Sequence, residues 1–589
     1  MSKPSTQLSL DRVEERHVIV ARNDDLYQAF PDLCLLPSGK LYCLYRESDL
    51  HAAKWTRTVL IESEDRGRTW RNKRLVSDLK FNLPRITRLS EGRLVINGDV
   101  GNTNYVLWSD DEGETWSKPQ RVPINGQCPD RIVEMRDGAL LCNAERRRGG
   151  DQTRVYRPAA QNLYQYRSAD GGETWQDAGL MFEDRIWGGC GEGATVELID
   201  GTLVCHIRNS AGYAYPSLKI ISRDGGRTWS DYRLSGTFGG MHRAGLLRDG
   251  RMLITYRQMA GNSSLSAWCG DPTEEVGYCV PSRWGDDDGA LLMDDALRIR
   301  TTGDHSTFTL KNTGYADAVV DWKPDHEAVV PPVYFLPPPE FNDSIVTIDA
   351  TLRVIRNDTG LASTINLTGA TEVLFYPDRV ELLGAPHASY RLDGTKFHDY
   401  RITRNADGLT IEVDGVERIR TNQLVRTQGL HRNRVNWGQD RTTFGTTFRA
   451  WDHLDMEKWK GSVWRWDNFE RARQVGIGES YWKSVKITVD NESTMDLSWS
   501  WNAAGGTYPD QYQRDHVVEV DWDPQADFGG SDWVQFPDGE IFVAYFTAEE
   551  THHQRPYIKG CYLKPGDFRF PAPGGDISSN KRVSRRARD

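Results

Sequence analysis

Charged side chains recur at fixed distances from six glycines, Gly39, Gly92, Gly138, Gly201, Gly250 and Gly539. The seventh residue before each glycine is, in chain order, Asp32, Arg85, Arg131, Ala194, Arg243 and Asp532. The seventh residue after each glycine is Arg46, Asp99, Glu145, Arg208, Arg257 and Phe546. If each glycine closes a hairpin, both sets lie side by side at the same end of the sheets. The spacing therefore predicts a ring of arginines and carboxylates around one opening.

Arginines clustered in this way suit the bidentate capture of a carboxylate, and neighbouring acids or histidines can move protons at a sugar's anomeric or C5 centre. We therefore expect an acidic oligosaccharide or glycoconjugate as substrate. The predicted substrate-binding residues are Arg46, Arg85, Arg131, Arg208 and Arg243. The predicted catalytic residues include Asp32, Asp532, His51 and His242. The competing interpretation of any one of these charges is a salt bridge between sheets, and a lone histidine is often structural.

Six turns must position this ring. Each of the six glycines ends a short polar turn between two apolar runs, as in 248–250 before 251–256. Six such hairpins favour a six-bladed β-propeller, in which four-stranded blades surround a central channel. A solenoid is the weaker alternative. We expect residues 16–21 to supply the outer strand of the last blade and so to close the ring.

A second repeat, Ser-x-Asp-x-Gly-x-Thr-Trp, occupies residues 63–70, 109–116, 168–175 and 222–229. Its aspartate can accept hydrogen bonds from turn N–H groups, its glycine can adopt a positive φ, and its tryptophan can pack between sheets. The repeat therefore predicts a structural turn in each of four blades, and no chemistry.

The interval between Gly250 and Gly539 is much longer than the others, which indicates an inserted domain. Alternating strands such as 344–354 and 481–488 favour a β-sandwich in this interval. The sequence of residues 397–404 and 409–415 resembles that of a concanavalin-like (laminin G-like) lectin domain. The insert is therefore expected either to bind sugar or to act as a spacer. The predicted boundaries are 1–284 for blades one to five, 285–507 for the sandwich, 508–570 for the last blade and 571–589 for a disordered basic tail.

The composition limits the classes of partner. The formal net charge of −11 over 589 residues argues against nucleic acid, since phosphate binding needs a cationic face. The first ten residues lack a signal peptide's apolar core, and no stretch is long and apolar enough for a membrane span, so a cytoplasmic protein without membrane contact is expected. The nine cysteines show neither zinc spacing nor a disulfide framework, and Cys43, Cys142 and Cys205 recur at one packing position. No cofactor and no metal is predicted, and the oligomeric state is left open.

The four repeats and the segment from Glu192 to Arg208 resemble the sialidase (neuraminidase) superfamily, whose propellers carry such Asp-boxes (BNR repeats). The likeness covers residues 1 to about 262 and about 515 to 565. It implies that Glu192 is a catalytic glutamate and that Arg208 belongs to a triad that binds the substrate carboxylate.

Three departures from the family pattern change what the resemblance implies. Where these enzymes begin with Arg-Ile-Pro, this chain has Ala29-Phe30-Pro31, so the first arginine of the triad is missing. Where the last blade should present a tyrosine nucleophile, the chain reads 528–532, Phe-Gly-Gly-Ser-Asp. In the loop after Arg46, His51 takes the place of the usual acid/base aspartate, with Asp49 two residues earlier.

Three functions follow from these residues. The first is an exo-glycosidase that releases an anionic sugar, sialic acid-like or uronate-bearing, with Glu192 or Asp532 opposite His51. The second is a polysaccharide lyase in which a histidine abstracts the proton α to a uronate carboxylate. The third is a non-catalytic carbohydrate-binding protein.

Overall fold

The computed structural model describes residues 8–11, 13–51, 53–147, 161–183, 190–209, 217–258, 264–274, 282–283, 290–301, 309–312, 345–358, 362–367, 371–383, 385–405, 407–422, 435–438, 448–450, 464–466, 478–490, 499–522, 528–548 and 555–570. Within them most residues lie in β-strands, and the few helices are short. The predicted basic tail lies outside the described residues.

Twenty strands precede the long interval. They are β1 (His17–Ala21), β2 (Tyr27–Leu35), β3 (Leu41–Ser48), β4 (Thr56–Ser63), β5 (Arg71–Ser77), β6 (Arg85–Arg88), β7 (Leu94–Val100), β8 (Thr103–Ser109), β9 (Gln120–Asn125), β10 (Val133–Glu134), β11 (Leu140–Arg147), β12 (Gln161–Ser168), β13 (Gln176–Phe182), β14 (Cys190–Glu197), β15 (Leu203–Asn209), β16 (Leu218–Ser222), β17 (Arg233–Leu234), β18 (Gly239–Leu246), β19 (Met252–Gln258) and β20 (Ser264–Gly270).

Seventeen strands fill the interval, and one helix and four strands follow it. The interval holds β21 (Ser282–Arg283), β22 (Ala290–Leu292), β23 (Leu297–Thr301), β24 (Thr309–Asn312), β25 (Ile345–Asn357), β26 (Thr364–Leu367), β27 (Thr371–Phe375), β28 (Arg379–Leu382), β29 (Ala385–Arg391), β30 (His398–Asn405), β31 (Gly408–Val413), β32 (Val416–Thr421), β33 (Val435–Gly438), β34 (Phe448–Ala450), β35 (Trp464–Trp466), β36 (Gly478–Asp490) and β37 (Trp499–Asn502). Helix α1 (Gln511–His516), β38 (Val517–Trp522), β39 (Ser531–Gln535), β40 (Ile541–Thr547) and β41 (Tyr557–Leu563) come after it. Short 3₁₀ helices lie at Glu14–Arg16, Ala503–Gly505 and Pro565–Asp567.

Six antiparallel sheets of four strands form one part of the molecule. In chain order they are sheet I (β2 to β5), sheet II (β6 to β9), sheet III (β10 to β13), sheet IV (β14 to β17), sheet V (β18, β19, β20 and β38) and sheet VI (β39, β40, β41 and β1). Each sheet contacts the next, and sheet VI contacts sheet I through β39 and β2. This closed order of sheets agrees with a β-propeller.

Apolar clusters between successive sheets hold this ring together. Tyr27 and Phe542 belong to the cluster between sheets VI and I, for example, and Tyr256 and Val204 to the one between sheets V and IV. Such burial is favourable by about 25 cal/mol per Å² of apolar surface. The predicted packing role of Cys43, Cys142 and Cys205 is confirmed, since all three are buried free thiols.

The N-terminal strand closes the ring, as predicted. β1 pairs antiparallel with β41, with His17 opposite Cys561, so the first strand of the chain completes the sheet that holds the last three. Strands from the N-terminal and the C-terminal parts of the described chain therefore share one sheet.

Sheet V differs from the predicted organisation. Its fourth strand is β38, which pairs with β20 across the whole long interval. The predicted boundary at 508 assigned residues 517–522 to the last sheet, and the structure places them in the fifth. The reason is that sheet V lacks the Ser-x-Asp-x-Gly-x-Thr-Trp turn that joins the third and fourth strands of sheets I to IV. Its outer strand comes from beyond the insert, and Val518 and Val520 bury their side chains there.

The strands of the interval form two larger sheets and one hairpin. A seven-stranded sheet (β21-β24-β33-β26-β27-β28-β29) and an eight-stranded sheet (β22-β23-β36-β25-β30-β31-β32, with β37 beside β36) are each antiparallel, and β34 pairs with β35. Both larger sheets contribute to one core, in which Trp437 of the first lies 5.0 Å from Trp482 of the second, centroid to centroid. Two sheets that share one core are the layered arrangement predicted by the alternation of apolar and polar residues.

The six predicted hairpin turns all lie between the first and second strands of sheets I to VI, and their glycines have φ between 82° and 102°. The four repeat turns lie between the third and fourth strands of sheets I to IV. In an up-and-down sheet these two kinds of turn share one end. The residues seven positions from each turn glycine therefore lie at the opposite end, which we call the mouth.

Candidate functional site

Four non-glycine residues at the mouth have a left-handed backbone. They are Phe30 (φ 57°), Cys128 (φ 48°), Glu192 (φ 49°) and Met241 (φ 57°). Three of them lie nine residues before the turn glycine of sheets I, IV and V, within breaks of strand register, and Cys128 lies ten residues before that of sheet III. A positive φ is costly for such side chains and is concentrated at functional sites. The first strands thus carry a repeated, strained position at one opening.

Glu192 is the only acid among these four residues. Its Oε1 accepts a hydrogen bond from Arg208 Nη1 at 2.7 Å, and its Oε2 accepts one from the Met241 backbone N–H at 3.3 Å. The two side chains of the pair are 17 % and 21 % exposed, so both reach the mouth. The structure therefore brings together the two residues that the family resemblance selected.

Gly240 leaves room for Arg208. A Cβ atom at Gly240 would lie 2.5 Å from Arg208 Cδ, which is far inside van der Waals contact. Any larger residue would therefore push the guanidinium away from Glu192. This glycine is a positioning residue that inspection of the sequence did not single out.

The charges around Arg208 favour its cationic form. Burial opposes that charge, but Glu192 and Glu145 more than offset the burial and raise the pKa of Arg208. Cys128 lies in the same group of residues, where burial and the charges of Glu145, Glu192 and Asp99 raise the pKa of its thiol. Cys128 is therefore a neutral thiol, and Glu192 faces a permanently charged partner.

Three other arginines of the ring belong to a buried network. Arg131 Nη2 lies 2.5 Å from Asp532 Oδ1 and 3.4 Å from Asp32 Oδ1. Arg85 Nη1 and Arg243 Nε lie 3.6 Å and 3.4 Å from the same Asp32 oxygen.

Arg243 also reaches Asp130, through Nη1 at 3.4 Å. Three arginines therefore face three aspartates across sheets I, II, III, V and VI.

The same aspartates join successive sheets through the backbone. Asp32 accepts the N–H of Ile86, Asp130 that of Thr195, and Asp532 that of Leu33, each at 2.7 Å. Asp32 and Asp532 lie on the first strands of sheets I and VI, Asp130 lies just before the first strand of sheet III, and each donor lies on the first strand of the next sheet. The predicted catalytic residues Asp32 and Asp532 consequently have a sheet-linking contact, and Asp532 lies beside Arg131 instead of Glu192.

Burial raises the pKa of two acids of this network. It raises the pKa of Asp130 and of Asp532 to about 6, even though nearby arginines oppose the shift. For Arg131, burial disfavours the charge, yet Asp532 and Asp32 raise its pKa. The network is therefore held by pairing, and either partner alone would be an unpaired buried charge.

Arg46 and His51 are linked to each other at the mouth. Arg46 Nη2 donates to the carbonyls of Leu50, at 3.1 Å, and of His51, and its guanidinium stacks over the rings of Tyr27 and Phe30. His51 Nδ1 is 2.8 Å from the Tyr27 hydroxyl. Arg46 thus supports the loop that carries His51.

His242 is buried in sheet V. Its Nε2 lies 3.1 Å from Thr237 Oγ1, and its ring stacks on Tyr256 with 5.9 Å between centroids. Burial and the charge of Arg208 lower its pKa to about 3. The imidazole is therefore neutral near pH 7, which suits packing more than proton donation.

Two acids were missed as site candidates. Asp130 lies eight residues before its turn glycine, so a count of seven passes over it. Asp99 is a predicted ring position, but the sequence does not show that burial raises its pKa to about 7. Its Oδ1 has no hydrogen-bond partner among the described residues.

The eight-stranded sheet carries a separate polar groove of about 620 Å³. Its side chains pair with one another: Arg401 Nε donates to Asp349 Oδ1 at 2.6 Å, and Thr351 Oγ1 to Asp399 Oδ1 at 2.6 Å.

The described residues contain no group of three or more acids, histidines or cysteines placed to hold a metal ion. No helix in the described part of the chain is long and apolar enough to cross a membrane.

No family model and no curated protein matches the sequence. Among solved structures, the chain is similar to the Hadza microbial sialidase Hz136 (19 % identity, TM-score 0.34, 43 % of this chain and 58 % of that one). It is also similar to Trypanosoma rangeli sialidase in complex with sialic acid (13 % identity, TM-score 0.30, 83 % of this chain and 96 % of that one). A third similar structure is a mutant of an α-L-arabinofuranosidase from Fusarium graminearum in complex with an iminosugar inhibitor (13 % identity, TM-score 0.34, 51 % of this chain and 92 % of that one). Because these identities and TM-scores are low, the functional proposal rests on the contacts of the site.

Proposed function

We propose that this protein is a glycoside hydrolase built on a six-bladed β-propeller of the sialidase kind, with a concanavalin-like sandwich inserted in the fifth blade. The observation that carries the proposal is Glu192: a partly exposed carboxylate with a left-handed backbone, held by Arg208 and by the Met241 N–H at the mouth. Backbone strain is concentrated at active sites, and charged pairs in an opening are a feature of catalytic groups.

Hydrolysis adds water across the bond between the anomeric carbon and the leaving oxygen. The leaving oxygen takes a proton from a general acid, and a carboxylate either directs the attacking water or attacks the anomeric carbon itself. In our proposal Glu192 supplies that carboxylate, and the hydrogen bond from Arg208 holds it in position. His51 supplies the proton, since the Tyr27 hydroxyl and the carbonyl contacts of Arg46 fix its position.

The remaining predicted residues act around this pair. Arg131 is 29 % exposed and is the member of the buried network best placed to meet a sugar hydroxyl. Arg85 and Arg243 support the ring through Asp32 and Asp130. The alternative placing of Asp532 opposite His51 stays a prediction, and its contacts with Arg131 and Leu33 favour Glu192 instead.

Glu192→Gln tests the proposal, because it keeps the size of the side chain and removes its charge. We expect kcat to fall about a hundredfold to ten-thousandfold, with the unfolding temperature nearly unchanged. The readout is release of reducing sugar or chromophore from a panel of glycosides. Glu197→Gln is the matched control, because Glu197 lies on the same strand and its Oε2 accepts the Arg136 N–H away from the mouth. Full activity in Glu192→Gln would remove Glu192 from the mechanism.

A polysaccharide lyase is the second candidate, and the hydrogen bond between Tyr27 and His51 is the observation that favours it. A lyase forms a double bond next to the uronate carboxylate, so its product absorbs in the near ultraviolet, whereas a hydrolysis product does not. Binding of glycans without turnover would instead indicate the carbohydrate-binding alternative.

A further inference from the structure

We propose that the sugar unit held beside Glu192 is uncharged, and that its apolar face packs against Met241 and the aromatic residues behind it. This inference rests on the proposed glycosidase function and changes its substrate class from an acidic to a neutral sugar. Two independent observations carry it: the balance of charge at the mouth, and the side chains that fill the place of the missing tyrosine.

The charge balance argues against an acidic sugar. The ring positions and their partners hold six arginines (Arg46, Arg85, Arg131, Arg208, Arg243 and Arg257) and six carboxyl groups (Asp32, Asp99, Asp130, Glu145, Glu192 and Asp532). Every one of these arginines has a partner in the protein. At the arginines that face carboxylates, a substrate carboxylate would have to share the guanidinium with a protein carboxylate, and two negative charges held that close together repel each other.

Arg208 shows this constraint most directly. It is the partly exposed arginine nearest to the proposed catalytic group, and its Nη1 is committed to Glu192 at 2.7 Å. If it also bound a substrate carboxylate, that anion would lie next to Glu192, with Glu145 also nearby. Sugar hydroxyls avoid this repulsion, because one hydroxyl can accept from Arg208 and donate to Glu192 at the same time.

The place of the missing tyrosine is apolar. A Cβ atom at Gly530 would lie 2.7 Å from Phe546 Cε1, 3.2 Å from Phe30 Cδ1 and 3.3 Å from Met241 Sδ. These three side chains therefore converge where the last sheet presents neither a hydroxyl nor a charge. Phe30 and Phe546 are buried behind, with 5.0 Å between their ring centroids, and Met241 is partly exposed.

Met241 links this apolar group to the catalytic carboxylate. Its backbone N–H donates to Glu192 Oε2, so its thioether projects from the residue that orients the carboxylate. A polarisable thioether suits the C–H face of a sugar ring, or a methyl or deoxy substituent. The pair Glu192–Arg208 then meets the hydroxyls of the same ring.

Turnover of a glycoside panel tests the inference. The panel pairs 4-nitrophenyl glycosides of neutral hexoses, pentoses and deoxyhexoses with those of N-acetylneuraminic acid and glucuronic acid. We expect a kcat/KM at least tenfold higher for a neutral glycoside. A higher value for either acidic glycoside overturns the inference and leaves the hydrolase proposal intact.

Met241→Ala locates the contact. We expect KM for the neutral glycoside to rise about tenfold with kcat nearly unchanged, because the thioether binds ground state and transition state alike. The control is Met135→Leu, a buried methionine beside the turn at the opposite end of sheet III, which should leave both constants unchanged. An unchanged KM in Met241→Ala would overturn the assigned contact.

Thermal unfolding of the wild-type protein separates this inference from the catalytic proposal. If no glycoside is turned over, the hydrolase proposal fails, and the free sugars at tens of millimolar then decide the inference. An increase in unfolding temperature with a neutral sugar and none with N-acetylneuraminic or glucuronic acid supports it. An increase with an acid only, or with no sugar at all, overturns it.

Discussion

At the scale of single residues, the acids of the mouth divide by burial. Asp32, Asp130 and Asp532 are buried, accept backbone N–H groups from the next sheet and face arginines. Glu192 is partly exposed and faces one arginine. The three buried carboxylates thus hold sheets together, whereas the partly exposed carboxylate of Glu192 is open to a ligand. Solvent exposure separates these two roles.

Asp130→Asn should destabilise the ring of six sheets. The substitution removes one of the two carboxylates that Arg243 faces at 3.4 Å and takes the charge from the acceptor of the Thr195 N–H, so we expect a loss of about 3 kcal/mol in the free energy of unfolding. Chemical denaturation followed by tryptophan fluorescence measures it. Asp231→Asn, at an exposed position between β16 and β17, is the control and should change stability by less than about 0.5 kcal/mol. Equal stability of both variants would show that the network carries no net stabilisation.

The carboxyl group of Asp99 should contribute to the free energy of unfolding, and this contribution should weaken as pH rises. Burial raises its pKa from 3.8 to about 7, so between these values the folded state binds more protons than the unfolded state. Stability from this group is therefore present below pH 3.8 and falls towards pH 7, with a slope of at most about 1.4 kcal/mol per pH unit.

Asp99→Asn isolates this term, because asparagine does not titrate. We expect the free energy of unfolding of Asp99→Asn, minus that of the wild type, to increase between pH 4 and pH 7. Denaturation curves at four or five pH values measure the difference, and the same subtraction for Asp231→Asn should stay flat. A difference that is flat for Asp99→Asn as well would mean that its carboxyl is ionised throughout.

At the scale of elements, the turns were predictable because their geometry is local. A glycine with positive φ marks each hairpin, and each repeat closes on itself: Asp170 Oδ1 accepts the Thr174 N–H at 2.9 Å, and the Ser168 hydroxyl accepts the Gly172 N–H at 2.9 Å. No contact beyond seven residues is needed to form either turn. The count from each glycine also led to five residues that lie within salt-bridge distance of one another, Asp32, Arg85, Arg131, Arg243 and Asp532.

Pairing within the ring was not predictable, because it depends on contacts between sheets distant in sequence. Nothing near Arg131 in the chain indicates that Asp532 will be its partner, and nothing near Glu192 indicates that Met241 will donate to it. The fourth strand of sheet V was assigned to the wrong sheet for the same reason, since β38 and β20 are separated by the whole insert.

Loss of β1 should open sheet VI. β1 covers the outer edge of β41, and Arg16, just before it, donates to the Tyr562 carbonyl at 2.9 Å and pairs with Asp567 at 3.1 Å. Deleting residues 1–21 exposes that edge and removes Val20 from the apolar cluster between sheets VI and I. We expect the cooperative thermal transition of the ring to be lost or lowered by more than 10 °C, a shift on the order of several kcal/mol.

Deleting residues 1–7 alone is the control for this truncation. It removes nothing from β1 or from Leu10, which packs in the cluster between sheets V and VI. A wild-type transition in the longer deletion would show that the ring closes without the N-terminal strand.

At the scale of the whole molecule, two sets of cores coexist in one chain. The clusters between the six sheets draw on residues before 270 and from 517 onwards, whereas the core shared by the two larger sheets draws on residues 290–508. The chain leaves sheet V after β20 and returns to it at β38, the adjacent strand. Exit and entry are therefore neighbours, which is the geometry in which an insertion disturbs its host least.

Excising residues 285–507 should accordingly leave a folded and active ring of six sheets. The cut retains α1, whose His516 stacks on Trp268 of β20 with 5.7 Å between centroids, so the junction that brings β38 to sheet V survives. We expect one cooperative thermal transition and a kcat on small glycosides within about threefold of the full chain, because the hydrogen bonds that join Glu192 to Arg208 and Met241 lie within sheets IV and V. Calorimetry and turnover of the neutral glycosides measure the two quantities. If the excised protein unfolds without a cooperative transition, the insert contributes to the stability of the ring of six sheets. If the protein folds but loses only turnover of long glycans, the insert contributes to holding the substrate.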